Sequence, residues 1–247
     1  VLAWAGSFGD GLHKSIPAPG MGVVASAMGG KKSPLGKALR RFGLAADDIA
    51  VVYKHDTSTG ANDPNESAVH HHIQTALGRT PGNPLFAVSQ KTLTGHSKGG
   101  AAAWQTVGLC QTLATGKVAP NRNLESVDSQ TRSYAHVAFT DRALQLGAKF
   151  LRAGLLTSLG FGHVGAIALI VHPAAFFSML SAKKQRAWSA EVRRRQRASD
   201  LRRERIVTGA ESLFERRDTK RFTGDAELAM LLDPDARLPA DRVGGQL

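Results

Sequence analysis

The sequence predicts a layered α/β fold, and three observations lead to that class. Two units of a helix followed by a strand occupy residues 33–54 and 63–90. The stretch from Ser97 to about Thr115 is helical in pattern but rich in Ala and Gly, which is typical of a helix packed closely on several sides. Two apolar strands joined by a glycine-rich turn, residues 151–173, predict a hairpin. We therefore expect a sheet covered by helices, with the Ala/Gly-rich helix buried.

The first helix–strand unit begins at Ser33, a favoured cap residue, with Pro34 at the first helical position. The helix is predicted to end near Gly43, and the apolar run from about Ile49 to Lys54 predicts a strand. Upstream of this unit, residues 1–34 are so rich in Gly, Pro, Ser and Ala that we expect an ordered loop region there.

The second unit has a similar start signal. Asp63 is predicted to cap a helix, with Pro64 at its first position and Glu66 at the spacing of a capping box. After a loop with two prolines, the apolar run "LFAVSQ" predicts a buried strand. Lys91 follows this strand directly.

Bulk composition indicates a soluble globular protein. The 247 residues suffice for one large domain, alone or with an appendage, and 42% of them are hydrophobic. No run of about 18 apolar residues could span a membrane, and nothing at the N-terminus resembles a secretory signal. The single cysteine, Cys110, excludes an internal disulfide and fits a cytoplasmic location. The chain begins at Val1 in a segment typical of a fold interior, so we expect a piece of a longer polypeptide.

Positive charge is concentrated in one segment. The net charge is +12, and residues 183–205 hold ten Lys or Arg against three Asp or Glu. We place a domain boundary near residue 174, with residues 1–173 as the α/β part and 174–247 as a charged helical extension. The basic run has one aromatic residue, Trp188, and no base-reading motif, so a solvated or assembly-facing helix is favoured over nucleic-acid binding. An acidic carrier protein is a further candidate partner.

Three strand-end loops carry residues with the chemistry of an active site. His55 lies in "KHDTST", Lys91 and His96 lie in "KTLTGH", and Phe161 lies in "SLGFGHVG". Loops of this kind are where α/β proteins assemble sites. A pair of neutral imidazoles can donate two N–H groups to a thioester carbonyl oxygen while negative charge develops on it. A lysine ammonium would add positive potential, and a buried carboxylate such as Glu66 could balance it. The two histidines therefore suit the stabilisation of an enolate.

These motifs resemble the C-terminal half of a β-ketoacyl synthase, the condensing enzyme of fatty acid synthesis, over about residues 1–173. "HDTSTGANDPNE" resembles the histidine–threonine loop of the family, with the acidic pair in register at Asp63 and Glu66. "KTLTGH" keeps the Lys and His of the family five residues apart, and "SLGFGHVGA" is similar to its gating-phenylalanine turn. "GDGLHKSIPAPGMG", "KHDTST" and "PNRN" are most similar to the type I fatty acid synthases of mycobacteria and related actinobacteria and to the fungal α chain.

The resemblance implies a thiolase-like fold and a decarboxylative Claisen condensation. In that reaction an acyl group on an active-site cysteine is attacked by the carbanion of decarboxylated malonyl-carrier protein. The substrates would be carried on the phosphopantetheine of an acyl carrier protein, with no cofactor bound directly by this chain. The resemblance implies catalytic roles for His55, His96 and Lys91, and a supporting polar network that includes Asp63 and Glu66.

The resemblance also implies contacts with substrate and with other subunits. Thr57 and Thr59 match positions that hydrogen-bond the phosphopantetheine arm. Phe161, preceded by Gly160, matches the gate whose backbone N–H also lines the oxyanion hole. The family implies a homodimer within a larger homo-oligomer, with the remaining part of the parent polypeptide as an obligatory partner.

The nucleophile has no match in this chain. The cysteine of the family precedes the histidine loops, on a turn at a helix N-terminus, whereas Cys110 follows both loops. We predict that Cys110 is a small core residue of the Ala/Gly-rich helix and that the catalytic cysteine lies upstream in the parent polypeptide. The chain also departs from the family at Asp56, where most stand-alone enzymes have glycine, and at His163 and Val164, which replace small residues after the gate.

Other interpretations of these residues stay open. Thr57 and Thr59 could be ordinary turn residues, and Phe161 could be an ordinary core aromatic. The consecutive histidines 70–72 point about 100° apart on a helix, so no metal site is predicted from them. The alternative function is a non-catalytic thiolase-like segment that serves the assembly of a large complex. A cysteine upstream on a nucleophile turn would distinguish the enzyme from that alternative.

Overall fold

The computed structural model describes residues 1–9, 30–60, 62–160 and 164–214, and within these ranges it shows a six-stranded sheet with helices packed on it. The strands are β1 (Leu2–Gly9), β2 (Ile49–Tyr53), β3 (Leu85–Val88), β4 (Lys117–Val118), β5 (Val137–Phe139), β6 (Leu144–Gln145), β7 (Ala153–Gly160) and β8 (Val164–Val171). The helices are α1 (Pro34–Arg41), α2 (Asn62–Leu77), α3 (Lys91–Thr94), α4 (Ala101–Thr115), α5 (Ser129–Arg132), α6 (Pro173–Phe177) and α7 (Ala182–Val207).

The strand order of the sheet is β1-β8-β7-β2-β3-β5, while β4 and β6 form a separate antiparallel pair. Strands β7, β2, β3 and β5 run parallel to their neighbours in that part of the sheet, and β8 runs antiparallel to β7 and β1. Tyr53 is in register with Val88 on one side and with Leu156 on the other. Because parallel strands end at the same edge, the residues that follow these three lie together.

Helices cover this sheet on both faces, so two hydrophobic clusters form. On one face, Val52 packs with residues of α1 and α2, among them Leu39 and Ile73. On the other face, Val51 packs with Leu109 of α4. Successive residues of a strand point to opposite faces, and β2 therefore contributes to both clusters.

Several predicted elements are confirmed. Helix α1 follows Ser33, whose hydroxyl accepts a hydrogen bond from the N–H of Gly36 at 3.0 Å. The predicted strand at residues 49–54 is β2, and the predicted hairpin is the antiparallel pair β7–β8. The tip of that hairpin, residues 161–163, lies outside the described residues.

Two predictions about local structure are wrong. Residues 2–9 form strand β1, paired with β8, where we expected a loop. Its glycines, alanines and serine weaken the sequence signal, and its partner strand lies more than 150 residues away along the chain. Helix α2 begins at Asn62, so Asp63 lies within the first turn and is not the cap. The start signal was correct, but its position was shifted by the loop that precedes it.

The Ala/Gly-rich helix is α4, and it buries one face only. Gly108 faces the sheet, where a Cβ atom would lie 2.6 Å from Cε1 of Tyr53, so only glycine allows this approach. Leu109 is fully buried, whereas Trp104 is 49% and Val107 is 48% exposed. Cys110 is exposed as well, and its predicted place in the core is wrong. Helix geometry rotates it about 100° from Leu109 and away from the sheet.

A long basic helix lies after the α/β part of the chain. Helix α7 has 26 residues, and none of them is buried. The chain divides into two compact units, residues 1–186 and 187–247, and the boundary predicted near residue 174 stays a prediction. Among the helices of the described ranges, none is long and apolar enough to cross a membrane.

Candidate active site

Glu66, on α2, holds the backbone of the loop that follows β2. Its carboxylate is fully buried, with Oε1 accepting from the N–H of His55 at 2.6 Å and Oε2 accepting from the N–H of Asp56 at 2.9 Å. The side-chain amide of Asn62 donates to Oε2 at 3.3 Å, and the hydroxyl of Thr157 donates to Oε1. We expected Glu66 to close a capping box on its own helix. Its carboxylate instead fixes the two peptide groups on either side of His55.

Lys91 is the residue that contacts the ring of His55. It begins α3, three residues after the end of β3, and is half-buried. Its Nζ donates to the carbonyl oxygen of His55 and lies 3.3 Å from His55 Nδ1. An ammonium group can only donate, so Nδ1 must accept and the proton of the neutral ring lies on Nε2.

His96 has the same tautomer for a different reason. Helix α3 ends at Gly95, whose φ of 69° turns the chain sharply before His96. The backbone N–H of Lys98 donates to His96 Nδ1 at 3.0 Å, which leaves the proton of the neutral ring on Nε2. The ring centroids of His55 and His96 are 5.5 Å apart, with an interplanar angle of 87°. The loops after β2 and β3 thus bring two N–H donors together.

Burial and charge favour the neutral form of His55. Its pKa is lowered to about 4, mainly by burial and then by the charges of Lys91 and His96, against the opposing effect of Asp56. Burial also lowers the pKa of Lys91, while Glu66 and Asp56 raise it. His55 is therefore a neutral donor at pH 7, and the two carboxylates favour the charged form of Lys91.

The threonine loop is held by Asp63. Burial and then Asp56 raise the pKa of Asp63, while Lys54 and backbone hydrogen bonds with Thr59 and Thr57 oppose that rise. The hydroxyls of Thr57 and Thr59 lie 3.2 Å apart. The backbone N–H of Asp63 donates to the carbonyl oxygen of Thr59 at 3.1 Å, which joins the turn to the start of α2.

Gln105, on α4, supports the same strand ends and was missed by the sequence analysis. Its side-chain Nε2 lies 2.9 Å from the carbonyl oxygen of Tyr53 and 2.8 Å from those of Lys54 and Thr157. It therefore joins β2 and β7 where their ladder ends. A glutamine in an Ala-rich helix gives no local signal for such a contact, since its partners lie about 50 residues away on either side.

A cavity of about 570 Å³ opens beside the two histidine loops. Thr57, Asp63, Lys91 and His96 are among its lining residues, and Thr59 lies outside that lining. Most of the remaining wall comes from the 121–131 segment, which includes the end of "PNRN". The cavity thus joins the predicted site to a segment that the sequence analysis used only for its resemblance.

With this geometry established, the chain can be compared with known proteins. Residues 1–125 match the family described as beta-ketoacyl synthase, C-terminal domain. The chain belongs to the β-ketoacyl synthase family. The match covers both histidine loops and the lysine between them.

The curated relatives of this synthase domain are fungal proteins. The chain is 39% identical over 243 residues to Fatty acid synthase 2 of Mycosarcoma maydis, which covers 96% of this chain and 6% of that protein. It is 39% identical over 244 residues to the fatty acid synthase alpha subunit stcJ of Emericella nidulans, and the match covers 98% of this chain and 15% of that protein. It is 36% identical over 217 residues to Fatty acid synthase subunit alpha of Saccharomyces cerevisiae, and the match covers 87% of this chain and 11% of that protein.

The chain thus spans a small part, 6% to 15%, of the length of these relatives. The expected resemblance to the fungal α chain is confirmed, and the resemblance to mycobacterial synthases stays a prediction.

Solved ketosynthases share the fold of this domain. The oxazolomycin ketosynthase domain OzmH KS7 of Streptomyces albus JA3453 matches with a TM-score of 0.57 at 19% identity, covering 69% of this chain and 29% of that one. Ketosynthase twelve of the bacillaene polyketide synthase of Bacillus amyloliquefaciens matches with a TM-score of 0.57 at 20% identity, covering 68% and 29%. At these identities the likeness concerns the fold, and the predicted thiolase-like α/β class is confirmed.

The predicted ketosynthase gate falls on two residues, Gly160 and Phe161. Gly160 ends β7 and is exposed, and Phe161 lies outside the described residues. Strand β7 runs parallel to β2, so Gly160 is at the same edge of the sheet as His55. The gating role of both residues stays a prediction.

The three consecutive histidines of α2 differ in their burial. His70 is fully buried, His71 is half-buried and stacks on His136 with centroids 5.2 Å apart, and His72 is exposed. In the part of the chain that the structure describes, no group of three or more His, Cys, Asp or Glu side chains could hold a metal ion.

Proposed function

We propose that this chain supplies the two-histidine half of the active site of a 3-oxoacyl-[acyl-carrier-protein] synthase within a type I fatty acid synthase. The observation that supports this most directly is the matched orientation of His55 and His96. Each ring accepts a hydrogen bond at Nδ1, so each presents an N–H at Nε2. Two N–H donors on rings 5.5 Å apart suit one oxygen atom that gains negative charge.

The reaction is a decarboxylative carbon–carbon bond formation. The thioester carbonyl oxygen of the malonyl group accepts hydrogen bonds from Nε2 of His55 and His96. The bond between the α-carbon and the carboxylate breaks, carbon dioxide leaves, and the electron pair forms an enolate whose oxygen both donors stabilise. The enolate carbon attacks the carbonyl of an acyl thioester on a cysteine outside this chain, and the cysteine thiolate leaves. Lys91 orients His55 throughout.

The cavity beside the histidines provides a route for the substrate arm. Thr57 lies in its wall, and we assign the hydroxyls of Thr57 and Thr59 to hydrogen bonds with phosphopantetheine. Phe161 and Gly160 are assigned to the gate at the hairpin tip.

Asp63 and Glu66 support the loop from inside the fold. Glu66 accepts from the peptides on either side of His55, and the backbone N–H of Asp63 donates to the carbonyl oxygen of Thr59. Their role is to keep the two threonines and His55 in fixed positions relative to each other.

The partners follow from the reaction. Malonyl and acyl groups arrive on the phosphopantetheine of an acyl carrier protein, and the remaining part of the parent polypeptide supplies the cysteine. We assign the domain to a homodimer within a larger, cytoplasmic homo-oligomer. The similarity to fatty acid synthase alpha subunits over nearly the whole chain supports this assignment.

The test is the release of carbon dioxide from malonyl-carrier protein by the complete synthase. We expect His55→Ala and His96→Ala to lower the rate by about 100-fold or more, which is the range for lost electrostatic stabilisation. His72→Ala is the matched control, because His72 is exposed on α2 and lies outside the cavity lining. Wild-type rates in both site variants would overturn the proposal.

A labelling experiment separates the enzyme from the assembly alternative. A reactive acyl-thioester analogue should label a cysteine in the parent polypeptide, N-terminal to this chain. If no cysteine is labelled in the parent or in a partner, the two histidines have no nucleophile and the non-catalytic alternative is favoured.

A further inference from the structure

A buried ion pair lies directly behind the histidine loop, and the chemistry above does not use it. Lys54 is 1% exposed, and its Nζ lies 2.7 Å from Asp56 Oδ1 and donates to the hydroxyl of Ser67 at 2.9 Å. The ammonium also lies over the ring of Phe139, 4.8 Å from its centroid. Its neighbours therefore come from the β2 loop, from α2 and from β5. A lysine is rarely buried to this extent unless it is paired.

Asp56 has an unusual backbone conformation at this point. Its φ of 29° lies in the left-handed region, which residues with a side chain adopt rarely. Such a conformation persists only where the surrounding structure fixes it. Three contacts do so here: the Asp56 N–H donates to Glu66, Oδ1 faces Lys54, and Oδ2 accepts from the hydroxyl of Ser89.

The contacts continue beyond Asp56 to a second loop of the cavity. The backbone N–H of Ser89 donates to Asn121 Oδ1 at 2.7 Å, and the Asn121 side-chain amide donates to the carbonyl oxygen of Ala87 at 2.9 Å. Lys54, Asp56, Ser89 and Asn121 all line the cavity. One connected cluster thus joins the ends of β2 and β3 to the loop that contains "PNRN".

The position of His55 depends on this cluster. His55 lies between Lys54 and Asp56 in the sequence, and its carbonyl oxygen and ring Nδ1 both contact Lys91. The peptide group that carries this carbonyl rotates with φ of Asp56. A change of φ at Asp56 would therefore move the carbonyl oxygen away from the Lys91 ammonium and disturb the contact that sets the His55 tautomer.

We propose that the Lys54–Asp56 ion pair is a positioning element of the active site, which holds Asp56 in its left-handed conformation and thereby sets the contact between His55 and Lys91. Neither residue touches the reacting atoms. The inference rests on the proposed function, because its main readout is malonyl decarboxylation. It goes further by naming the residues that keep the donor pair in place.

The experiment compares Lys54→Met, Asp56→Asn and the double variant Lys54→Met/Asp56→Asn in the complete synthase. Each single variant leaves an uncompensated polar or charged group in the interior, so we expect faster hydrogen exchange of the β2 and α2 amides. Removing both charges should restore that protection, since a buried pair can often be replaced without loss of stability. The decarboxylation kcat should nevertheless stay about 10- to 100-fold low in the double variant, with KM within about threefold of wild type.

A control ion pair lies at the opposite edge of the sheet, where β2 and β7 begin. Arg152, just before β7, pairs with Asp48, just before β2, at 3.0 Å. Arg152→Met should change exchange at that edge of the sheet and leave kcat unchanged. A double variant with restored protection and wild-type kcat would overturn the proposal, because the pair would then be purely structural.

Two further variants make every outcome decisive. If protection is not restored in the double variant, the kcat and the hydrogen exchange of Ser89→Ala test the positioning role. This variant keeps the ion pair and removes only the contact to Asp56 Oδ2. A kcat about 10-fold low with native exchange supports the positioning role, and a wild-type kcat contradicts it. His55→Ala in the same assay separates the proposed function from the positioning role of the ion pair. If His55→Ala retains activity, the proposed function is wrong. If His55→Ala loses activity while the Lys54, Asp56 and Ser89 variants keep it, only the positioning role is wrong.

Discussion

The ammonium of Lys91 contacts His55 at two points, the backbone carbonyl oxygen and the ring atom Nδ1, which is 3.3 Å away. One side chain therefore fixes both the position of His55 and its tautomer. The carboxylates of Glu66 and Asp56 lie close enough to raise the pKa of Lys91 against the effect of its burial. The histidine, the lysine and the two acids thus form one electrostatic unit.

Replacement of Lys91 tests this unit. In Lys91→Met we expect the pKa of His55 to rise from about 4 toward its ordinary value of 6.5, because a positive charge that disfavours the imidazolium is lost. Decarboxylation should fall about 10- to 100-fold as the ring loses its fixed orientation. Exchange of the C2 hydrogen of His55 against pH, followed by mass spectrometry, measures the pKa.

The control for this prediction is Lys98→Met. Lys98 is exposed and is not among the groups that shift the pKa of His55. An unchanged or lower pKa of His55 in Lys91→Met would contradict the proposed contact.

The burial of His70 predicts that the protein loses stability in mild acid. It is fully buried, and its Nε2 lies 3.2 Å from the Thr157 hydroxyl oxygen. Its pKa is lowered to about 3, mainly by burial and then by the charge of Lys54, against the opposing effect of Asp56. The folded pKa lies below the unfolded value of 6.5, so the unfolded state binds more protons between those two pH values. The stabilisation is complete above pH 6.5 and is lost as the pH falls toward 3.

The corresponding variant is His70→Gln. In the wild type, the free energy of local opening of α2 should fall by up to about 1.4 kcal/mol per pH unit below pH 6.5, and in the variant this slope should be smaller. Hydrogen exchange of the α2 amides at pH 7 and pH 5, corrected for intrinsic rates, gives the comparison. Equal slopes in the two proteins would show that His70 does not titrate on unfolding.

Arg79 holds several chain segments together through hydrogen bonds of its guanidinium group. It is 3% exposed, and its pKa is lowered to about 10 by burial, against the opposing effect of Asp47. Its N–H groups donate to five oxygen atoms, those of the Ala46, Ile49, Asn83 and Pro84 carbonyls and of the Gln74 side chain. A lysine has only three donors, so Arg79→Lys leaves at least two of these acceptors unpaired.

We expect Arg79→Lys to lower the free energy of local unfolding around β2 by about 2–5 kcal/mol, from the loss of buried hydrogen bonds. Hydrogen exchange of the β2 and β3 amides measures this change. Arg142→Lys is the control, because the Arg142 side chain is 89% exposed and should change nothing. Similar exchange in the two variants would argue against the bridging role of Arg79.

Gly108 predicts a long-range effect on the site. In Gly108→Ala the new methyl group would lie 2.4 Å from Gln90 Oε1 and 2.6 Å from Cε1 of Tyr53, so α4 must move off the sheet. Gln105, on the same helix, would then lose its contacts to the strand-end carbonyls, and we expect kcat to fall about 10-fold or more. Gly147→Ala is the control, since its Cβ would meet Phe150 at an ordinary 3.7 Å. Full activity in Gly108→Ala would contradict the prediction that the position of α4 affects kcat.

The sequence predicted those features that local patterns specify. Ser33 and Pro34 marked a helix start, and the apolar run before His55 marked a strand, because caps and strand ends depend on neighbours in the chain. The placement of His55 and Lys91 at the ends of two strands followed from the same patterns. Their assignment to one site came from the resemblance of three separated motifs to a known family.

Features that depend on distant partners could not be predicted. A lysine directly after a strand carries no sign of burial, and the pairing of Lys54 with Asp56 depends on Phe139, 85 residues away. Strand β1 depends on pairing with β8, and the outward direction of Cys110 depends on which face of α4 meets the sheet. In each case tertiary contacts, which a local pattern does not contain, determine the result.

The exposed face of α4 has a practical consequence for work with this chain. Trp104, Val107 and Cys110 follow one another at three-residue intervals, so they share one side of the helix, and all three are exposed. In a sample of the chain alone, apolar side chains on one face promote self-association, and the accessible thiol can join two molecules by a disulfide in air. Purification of the isolated chain therefore calls for a reducing agent and low protein concentration, and kinetic comparisons belong in the complete synthase.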